Sequence, residues 1–474
     1  MPPMRSTKII ATIGPASREP EVLEQMVHAG MDVARLNFAH GSPAEHRETL
    51  AAIRAAAGRC GREIAVLQDV PGPKLRLGEV AAGMAELVTG SRVLLTEGGP
   101  DGDATRLPVG FQGIGELLGV GDIAYLADGA IRLRVVSSSE REVEVCVEVG
   151  GTVHSRQGMN LPNVTVSLPA VSATDLEMIR AGVEMGVDAI ALSFVRRKED
   201  LDPVRSVLRD LDSDIPVIAK IEKPQAAANA EEVIEAADGL MVARGDLGIE
   251  LPLEEVPLVQ KRLLALAGSR SRPTITATHM LESMISSPRP TRAEVTDVAN
   301  AIFDGTDAVM LSQETAIGRY PVEAVEMMAS IALSTERELP YYRWLVERVD
   351  TKDDDEATIA YGAVGAIYTL GLKALVCPTY SGRTARMISA RRPRAPVLAL
   401  SPRVEVVRRC ALYWGVMPRL REEPETTTED LIGGSAEAAV EAGLAESGDK
   451  IGITAGLPMG HAGGTNLFKV HTVA

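Results

Sequence analysis

The sequence of 474 residues predicts an α/β protein: a (β/α)8 barrel that carries a small inserted β-barrel-like domain and a C-terminal α/β domain. Eight short, uniformly apolar runs alternate with helical patterns, a middle region alternates apolar with charged residues, and further apolar runs follow near the C-terminus. Uniformly apolar strands separated by helices are typical of a parallel sheet covered on both faces. Eight such units suggest a closed barrel.

The predicted barrel occupies residues 1–71 and 169–346. Helical spacing in its first interval runs from Glu19 to Ala29 and stops at Gly30, a common helix terminator. Ser172 and Asp175 form a candidate capping box, which predicts the helix at which the barrel resumes. The eight predicted strands are Thr7–Ile13, Asp32–Leu36, Glu63–Leu67, Asp188–Leu192, Ile215–Ala219, Gly239–Ala243, Pro273–Ala277 and Asp307–Leu311.

The interval 72–168 has a different pattern of apolar and charged residues, which predicts the inserted domain. Ile131–Val135 and Glu142–Val149 alternate apolar with charged residues, which is typical of half-exposed antiparallel strands. Turn signals such as Asp101-Gly102 and Gly121-Asp122 surround them. We expect this domain to close over the barrel as a lid that excludes water.

The acidic run Asp353–Glu356 marks the start of the predicted C-terminal domain, which occupies residues 347–474. We interpret the run as a solvated loop that leads into a helix at Ala357. The predicted strands of this domain are Ala374–Cys377, Pro396–Leu400, Lys450–Thr454 and Leu467–Val470.

Composition excludes several function classes. A formal net charge of −16 argues against generic nucleic-acid binding, which needs a basic surface. No apolar run approaches the length of about 18 residues that a membrane span needs, so no membrane partner is expected. The four cysteines have no CxxC spacing, which favours neither a zinc site nor a disulfide framework and predicts a cytoplasmic protein.

Charged residues end two neighbouring predicted strands. Lys220 and Glu222 lie two apart and therefore share one face of a strand, and Asp246 follows the next strand. Two carboxylates can bind Mg²⁺ or Mn²⁺ through oxygen, and an adjacent ammonium can stabilise a transferring phosphoryl group. Each residue alone could equally form an ordinary ion pair; their grouping at successive strand ends favours the metal site.

A phosphate-binding group is predicted beside this metal site. Arg35 and Asn37 share a face at the end of the second strand, and Arg76 ends the segment Gly72–Arg76. Arginine suits bidentate contact with phosphate oxygens, although Arg35 alone could be a surface ion-pair partner. Thr278 ends another strand, where a threonine is by default a helix cap.

These segments resemble the pyruvate kinase family over nearly the whole chain. Val33–Gly41 is similar to the family's Arg-Leu-Asn-Phe-Ser-His-Gly, and Lys220-Ile-Glu222 and Arg244-Gly-Asp246 match its Lys-Ile-Glu and Arg-Gly-Asp. The resemblance implies phosphoryl transfer from phosphoenolpyruvate to ADP, which gives an enolate held on Mg²⁺ that is then protonated to pyruvate. It also implies a homotetramer.

The resemblance assigns a role to each matching residue. Lys220, Arg35 and Arg76 would stabilise the transferring group, Thr278 would help to protonate the enolate, and Glu222 and Asp246 would hold the metal. The implied substrate contacts are Arg35, Lys220, Gly245, Asp246, Thr278, Ser193 and Phe194. The implied nucleotide contacts are Asn37, His40, Arg76 and Arg156, whereas Gln157 replaces the usual nucleotide-binding Lys. His279 receives no role.

The sequence departs from the family around its K⁺ site. Asn37 and Asp69 match the K⁺ ligands, but Ala39 and Val70 replace the usual Ser and Thr, and Lys74 replaces a Glu. An Ala cannot coordinate a hard cation, and an extra ammonium would repel one. The chain resembles the K⁺-independent branch, in which the Lys74 ammonium would balance an otherwise uncompensated Asp69. The alternative is that Lys74 points to solvent.

The segment from Thr379 to Thr384 follows an apolar run and precedes a helix. Hydroxyls, a glycine and free N–H groups make an anion cradle, although an ordinary capped loop would have the same pattern. The resemblance favours a site for a phosphorylated effector, a sugar phosphate or a nucleoside monophosphate. Its predicted residues are Thr379, Ser381, Gly382, Arg383 and Thr384.

Two other functions stay open at this point. A Mg²⁺-dependent barrel lyase or aldolase acting on a pyruvate enolate would share the carboxylate pair, but it would not need Arg35, Lys74 and Arg76. A non-catalytic metabolite-sensing paralogue would be expected to lose residues such as Lys220 or Glu222, which this chain keeps.

Overall fold

Residues 4–70 form the first three strands of a parallel barrel and the two helices between them in the computed structural model. The structure describes residues 4–162, 164, 169–347, 354–421, 427–457 and 464–474. The first helix ends at Gly30, whose φ of 122° favours glycine, and Ser42 begins the second with a capping box to Glu45. The elements are β1 Lys8–Thr12, α1 Pro20–Ala29, β2 Val33–Asn37, α2 Pro43–Arg59 and β3 Ala65–Val70.

The inserted segment forms two sheets of its own. Alternate residues of Glu142–Val149 are buried, as the sequence pattern predicts, and they pack into a separate apolar core with Leu95 and Leu133. The elements are β4 Met84–Leu87, β5 Arg92–Glu97, β6 Arg106–Val109, α3 Ile114–Leu117, β7 Ile123–Leu126, β8 Ile131–Ser138, β9 Glu142–Val149, β10 Gly151–His154 and β11 Met159–Asn160. One sheet has the order β11-β7-β8-β9-β5-β6, and β10 pairs with β4 in the other.

The barrel then resumes at the helix that Ser172 caps through Asp175, as predicted. Its elements are α4 Ala173–Met185, β12 Ala189–Leu192, α5 Asp202–Asp210, β13 Val217–Ile221, α6 Pro224–Ala228, α7 Ala230–Ala236, β14 Gly239–Ala243, α8 Arg244–Glu250, α9 Val256–Ser269, β15 Thr274–Ala277, α10 Arg292–Asp304, β16 Ala308–Leu311, α11 Gln313–Ala316 and α12 Pro321–Glu336. The closed order β1-β16-β15-β14-β13-β12-β3-β2 confirms the predicted barrel.

The C-terminal region is a five-stranded α/β unit with the order β19-β18-β17-β20-β21. Its elements are α13 Tyr341–Glu347, α14 Asp355–Leu370, β17 Leu375–Pro378, α15 Arg383–Ala390, β18 Val397–Ser401, α16 Val404–Cys410, β19 Val416–Leu420, α17 Thr428–Glu441, β20 Lys450–Ala455 and β21 Leu467–Thr472. Asp354 caps α14, so this helix begins two residues before the predicted Ala357. Asp353 and the predicted domain boundary at residue 168 lie outside the described residues.

The C-terminal unit packs on the amino end of the barrel, where the strands begin. The Lys8 ammonium donates to the carbonyl of Val416 at 2.7 Å, and Arg392 pairs with Asp307 at 2.6 Å. The carboxyl end of the barrel faces the inserted domain instead. In the part of the chain that the structure describes, no helix has the length and apolar character needed to cross a membrane.

Candidate active site

A cleft of about 380 Å³ opens at the carboxyl ends of the barrel strands, against the inserted domain. This is the end at which barrel enzymes carry their chemistry. Of the residues predicted from sequence, the cleft is lined by Arg35, Asn37, His40, Asp69, Lys74, Arg76, Ser193, Phe194, Lys220, Glu222 and Asp246. Gly245, Thr278 and Arg156 are not among its lining residues.

Lys220 lies at the centre of a buried charge cluster. Its Nζ is 2.8 Å from Glu222 Oε1 and 3.0 Å from Asp69 Oδ1, and it donates to Ser193 Oγ at 2.7 Å. Burial alone would lower the pKa of Lys220, but the charges of Asp69 and Glu222 outweigh it and raise that pKa above its usual value. The ammonium therefore stays charged at neutral pH.

Glu222 and Asp246 approach each other as two carboxylates at one edge of the cleft. Burial is the largest cause and raises the pKa of Glu222; the charge of Lys220 lowers it, the negative charge of Asp246 raises it, and the pKa ends above its usual value. The backbone N–H of Phe194 donates to Glu222 Oε2 at 2.9 Å and fixes that side chain. A divalent cation between the two carboxylates would relieve their repulsion, so the pair fits a Mg²⁺ or Mn²⁺ ion.

The described residues contain no group of three or more His, Cys, Asp or Glu side chains that could hold a metal. Two carboxylates beside an open cleft leave the remaining coordination positions to water and substrate oxygens, an arrangement common for Mg²⁺.

Arg35 and Asp69 form a second ion pair that lines the cleft. The Arg35 Nε donates to Asp69 Oδ2 at 2.7 Å, and another guanidinium nitrogen donates to Thr12 Oγ1 at 2.9 Å. Burial would raise the pKa of Asp69, but Arg35 and Lys220 together lower it below its usual value. Asp69 is therefore ionised, and it holds both cations in place.

Lys74 lies in the cleft, but its partner differs from the one that the sequence suggests. Its Nζ is 3.6 Å from Asp246 Oδ1, and a Cβ at Gly158 would lie only 2.7 Å from Lys74 Cε. The side chain therefore packs tightly against Gly158 of the same inserted domain. Because Arg35 and Lys220 already balance Asp69, the expectation of an uncompensated Asp69 is wrong.

Two residues of the site adopt backbone conformations that their side chains disfavour. Phe194 has a φ of 57° and Thr278 a φ of 69°, in the left-handed region that β-branched and bulky residues seldom enter. The turn at Gly72 makes room for Phe194, since a Cβ there would lie 2.7 Å from the Phe194 ring. Such strained positions persist where the surrounding contacts hold them, and they concentrate at functional sites.

Thr278 lies behind the start of α8 rather than on the wall of the cleft. Its hydroxyl accepts from the Gly245 N–H at 2.6 Å and donates to the Ala277 carbonyl at 2.6 Å. Arg244 donates to the Thr278 carbonyl at 2.9 Å and to Asp297 of α10 at 2.6 Å, so it joins this loop to α10. These contacts fix the segment from which Asp246 projects.

Arg76 and Arg156 lie differently with respect to the cleft. Arg76 lines it and donates to the backbone carbonyl of Arg156 at 3.2 Å. The Arg156 side chain is 77% exposed and pairs with Glu79 at 2.6 Å on the surface of the inserted domain. The structure thus places Arg76 with the predicted phosphate group and leaves Arg156 outside it.

The chain is similar in sequence to known proteins over nearly its whole length. The family model described as "Pyruvate kinase, barrel domain" matches residues 4–325, and "Pyruvate kinase, alpha/beta domain" matches residues 357–471. The chain belongs to the pyruvate kinase family. It is 45% identical over 477 residues to the pyruvate kinase of Geobacillus stearothermophilus and 43% identical over 475 residues to that of Staphylococcus aureus strain MRSA252. Each alignment covers 99% of this chain and 81% of the relative.

Membership of the pyruvate kinase family makes the chain a phosphotransferase. The predicted effector loop lies in the second matched domain, away from the cleft. Thr379 Oγ1 accepts from the Gly382 N–H at 2.9 Å, and Thr384 Oγ1 is 2.9 Å from Thr465 Oγ1. The Arg383 side chain, 54% exposed, pairs with Glu356 at 2.7 Å. The loop thus presents an exposed guanidinium at the start of α15.

Several site residues of this family member escape prediction from sequence. Thr12 anchors Arg35, Arg244 holds the Thr278 loop, and Gly158 makes room for Lys74. Pro71 and His154 also line the cleft. Gly158 follows Gln157 in a segment that resembles the family, so the position is visible in sequence, but its packing role is not.

Proposed function

We propose that the chain transfers phosphoryl from phosphoenolpyruvate to ADP, giving pyruvate and ATP, in the final step of glycolysis. The observation that carries the proposal is the convergence of Lys220, Arg35 and Arg76 with the Glu222 and Asp246 carboxylates on one cleft. A pyruvate lyase or aldolase would have no use for three cations around a phosphate. The four free cysteines suit a reducing cytoplasm.

In this proposal the cations stabilise the phosphoryl group as it passes from an oxygen of phosphoenolpyruvate to an oxygen of ADP. Lys220, Arg35 and Arg76 supply positive charge that is already in place before the substrate arrives, so little reorganisation is needed. Glu222 and Asp246 would hold Mg²⁺ or Mn²⁺, which would neutralise negative charge on the substrate oxygens.

The remaining roles concern the proton and the nucleotide. Because the Thr278 hydroxyl is engaged with Gly245 and Ala277, we assign it to proton delivery through a bridging water. Ser193 and Phe194 wall the phosphoenolpyruvate pocket, and Asn37, His40 and Arg76 receive the nucleotide phosphates. We leave Arg156 out of the nucleotide site, because it pairs with Glu79 at the surface.

The function is tested by mixing the protein with phosphoenolpyruvate, ADP and Mg²⁺ and following both products. The expected result is pyruvate and ATP in equal amounts, with loss of both when a chelator removes the metal. Pyruvate without ATP would contradict phosphoryl transfer to ADP. No product at all, from a folded protein, would favour the metabolite-sensing paralogue.

We further propose that Lys74 makes K⁺ unnecessary. Lys74 lies in the cleft beside Asp246, and Ala39 and Val70 provide no side-chain oxygen where the family's Ser and Thr would bind the ion. Lys74→Glu should remove most activity in K⁺-free buffer and recover part of it with KCl. Lys198→Glu, at an exposed lysine of the barrel, is the matched control. Full activity of Lys74→Glu without K⁺ would refute the proposal.

We propose that a phosphorylated effector binds the loop from Thr379 to Thr384, contacting Arg383. The test measures activation or inhibition by glucose 6-phosphate and by AMP in the wild type and in Arg383→Ala. Loss of the response with unchanged basal activity would support the site, and an unchanged response would refute it. Arg394→Ala provides an exposed-arginine control in the same domain.

We also propose a homotetramer, as the family resemblance implies. Light scattering on a sizing column should then report a mass of four 50.3 kDa chains. A monomer mass that persists at high protein concentration would contradict it.

A further inference from the structure

Glu250 is a buried carboxylate that lies outside the catalytic cleft. It ends α8, the helix whose first turn carries Asp246. The Lys223 ammonium donates to Glu250 Oε1 at 2.5 Å, and the Asn160 Nδ2 lies 3.5 Å from the same oxygen, at the long end of the hydrogen-bond range. One buried oxygen therefore receives donors from two other segments of the chain.

The first donor, Lys223, belongs to the segment that carries Glu222. Lys223 directly follows Glu222, and its ammonium lies 5.8 Å from the centre of the Phe194 ring. The N–H of Phe194 is the group that holds Glu222. Through Lys223, Glu250 is thus linked to the segment that carries one metal-binding carboxylate, while its own helix carries the other.

The second donor belongs to the inserted domain. Asn160 is buried in β11, two residues after the Gly158 that packs against Lys74. The turn Ala127–Gly129 of the same domain also meets α8, since a Cβ at Gly129 would lie 3.6 Å from the Ile249 side chain. Together with the Lys74–Asp246 pair, these contacts join the inserted domain to α8 at three places.

We propose that Glu250 is a positioning residue, which fixes the inserted domain against the two barrel segments that carry Glu222 and Asp246. Lys223 compensates the charge of Glu250, and loss of the Asn160 donor would take one of the two hydrogen-bond partners from this buried carboxylate, which costs free energy. The contact therefore favours the relative placement of the three segments that the structure shows. Phosphoryl transfer depends on such precision, since small misplacements of the reacting groups cost large factors in rate.

This inference rests on the proposed function for its kinetic consequence, but its contact can be tested without turnover. Asn160→Asp places a second carboxylate beside Glu250 and should repel it. Glu250→Gln keeps an oxygen for Lys223 and adds an N–H₂ group. In the double variant Asn160→Asp with Glu250→Gln, the donor and the acceptor are exchanged and the contact is restored.

The kinetic readout separates positioning from general destabilisation. Asn160→Asp should lower kcat by about tenfold or more and leave KM for phosphoenolpyruvate little changed, because the barrel side of the pocket is intact. The double variant should recover most of this loss. Glu254→Gln, at an exposed carboxylate four residues further on, is the matched control and should behave as wild type.

The second readout is hydrogen–deuterium exchange in the protein without substrates. Asn160→Asp should speed the exchange of peptides from 244–250 and 156–161, and the double variant should reverse this. Losses that simply add in the double variant, or an unchanged exchange of both segments, would overturn the proposal. If Asn160→Asp does not fold, Asn160→Ala takes its place, and wild-type kcat and exchange in that variant would likewise overturn it. If the wild type makes no pyruvate, the proposed function fails and the exchange result still decides the contact.

Discussion

The two ends of the barrel bury a lysine each, and the two lysines have opposite electrostatic environments. At the carboxyl end, Lys220 is held by Asp69 and Glu222, and its pKa is raised despite burial. At the amino end, the Lys8 ammonium donates to the Val416 carbonyl, and burial, the largest cause, lowers its pKa to about 8. Asp32 and Glu336 act against that shift, and the nearby arginines add to it.

The opposite pKa shifts of Lys220 and Lys8 indicate different roles for the two ends of the barrel. At the carboxyl end, carboxylates keep cations charged and aimed into a cleft, which is useful for binding and stabilising a phosphoryl group. At the amino end, polar groups satisfy one another across the contact with the C-terminal unit, as Arg392 and Asp307 do. Under the proposed function, the same eight strands carry the phosphoryl-transfer site at one end and the attached C-terminal unit at the other.

The largest expected effect is on kcat, which should fall when Lys220 is replaced but not when Lys8 is. Lys220→Met should lower kcat by about a thousandfold, because it removes a preorganised charge from the proposed phosphoryl-transfer site. Lys8→Met should keep kcat within about threefold of the wild type, since Lys8 lies at the opposite end. Steady-state assays of both variants, with circular dichroism to confirm folding, make the measurement. A comparable loss in both would break the comparison.

Removing the Arg392 guanidinium should affect stability rather than chemistry. Its side chain is 3% exposed, pairs with Asp307, and lies 5.2 Å from the centre of the Trp414 ring. Arg392→Ala leaves a buried carboxylate without that partner and should lower the free energy of unfolding by about 3–5 kcal/mol. Chemical denaturation measures this, with the exposed Arg394→Ala as control. Equal stability of the two variants would contradict the attachment role.

The smallest effect is a pH dependence of stability that Lys8 alone should cause. Its pKa is about 8 in the folded chain against 10.5 ordinarily, so between these values the unfolded chain binds more protons. The contribution of Lys8 to stability is thus complete above pH 10.5 and is lost as the pH falls towards 8. A shift of this size corresponds to about 3 kcal/mol.

Lys8→Met isolates that contribution, because every other titrating group is common to both proteins. From pH 7.5 to 10.5 the free energy of unfolding of the wild type should rise relative to that of Lys8→Met. Denaturant titrations at three pH values follow the difference. Parallel curves for the two proteins would show that Lys8 keeps its ordinary pKa.

The strands could be predicted because most of their residues are apolar. The errors in their predicted bounds lie where polar or charged residues occur within a strand. The predicted strands Glu63–Leu67 and Ile215–Ala219 both end early, whereas the observed β3 and β13 continue to Val70 and Ile221. Their last residues include Asp69 and Lys220, which pair with each other inside the barrel. β19 was not predicted, because Pro418 and Arg419 interrupt its apolar pattern on an edge strand.

The composition of the site could also be predicted, whereas its internal partners could not. The resemblance to a known family identified the charged residues of the site, and most of them line the cleft. Lys74 pairs with Asp246, and the Arg156 side chain points to Glu79 instead of the cleft. Both contacts depend on the backbone conformation of loops, for example on the positive φ of Arg156. Hydrophobic periodicity carries no information on such conformations.

The most direct test of the account is pyruvate formation by the wild type from phosphoenolpyruvate and ADP with Mg²⁺, in buffer free of K⁺ and again with added KCl. We expect strong turnover in both buffers, because Lys220, Arg35 and Lys74 already supply the positive charge that the cleft needs. Turnover only with K⁺ would contradict the role of Lys74. No turnover in either buffer would contradict the assignment of phosphoryl transfer to the carboxyl end of the barrel.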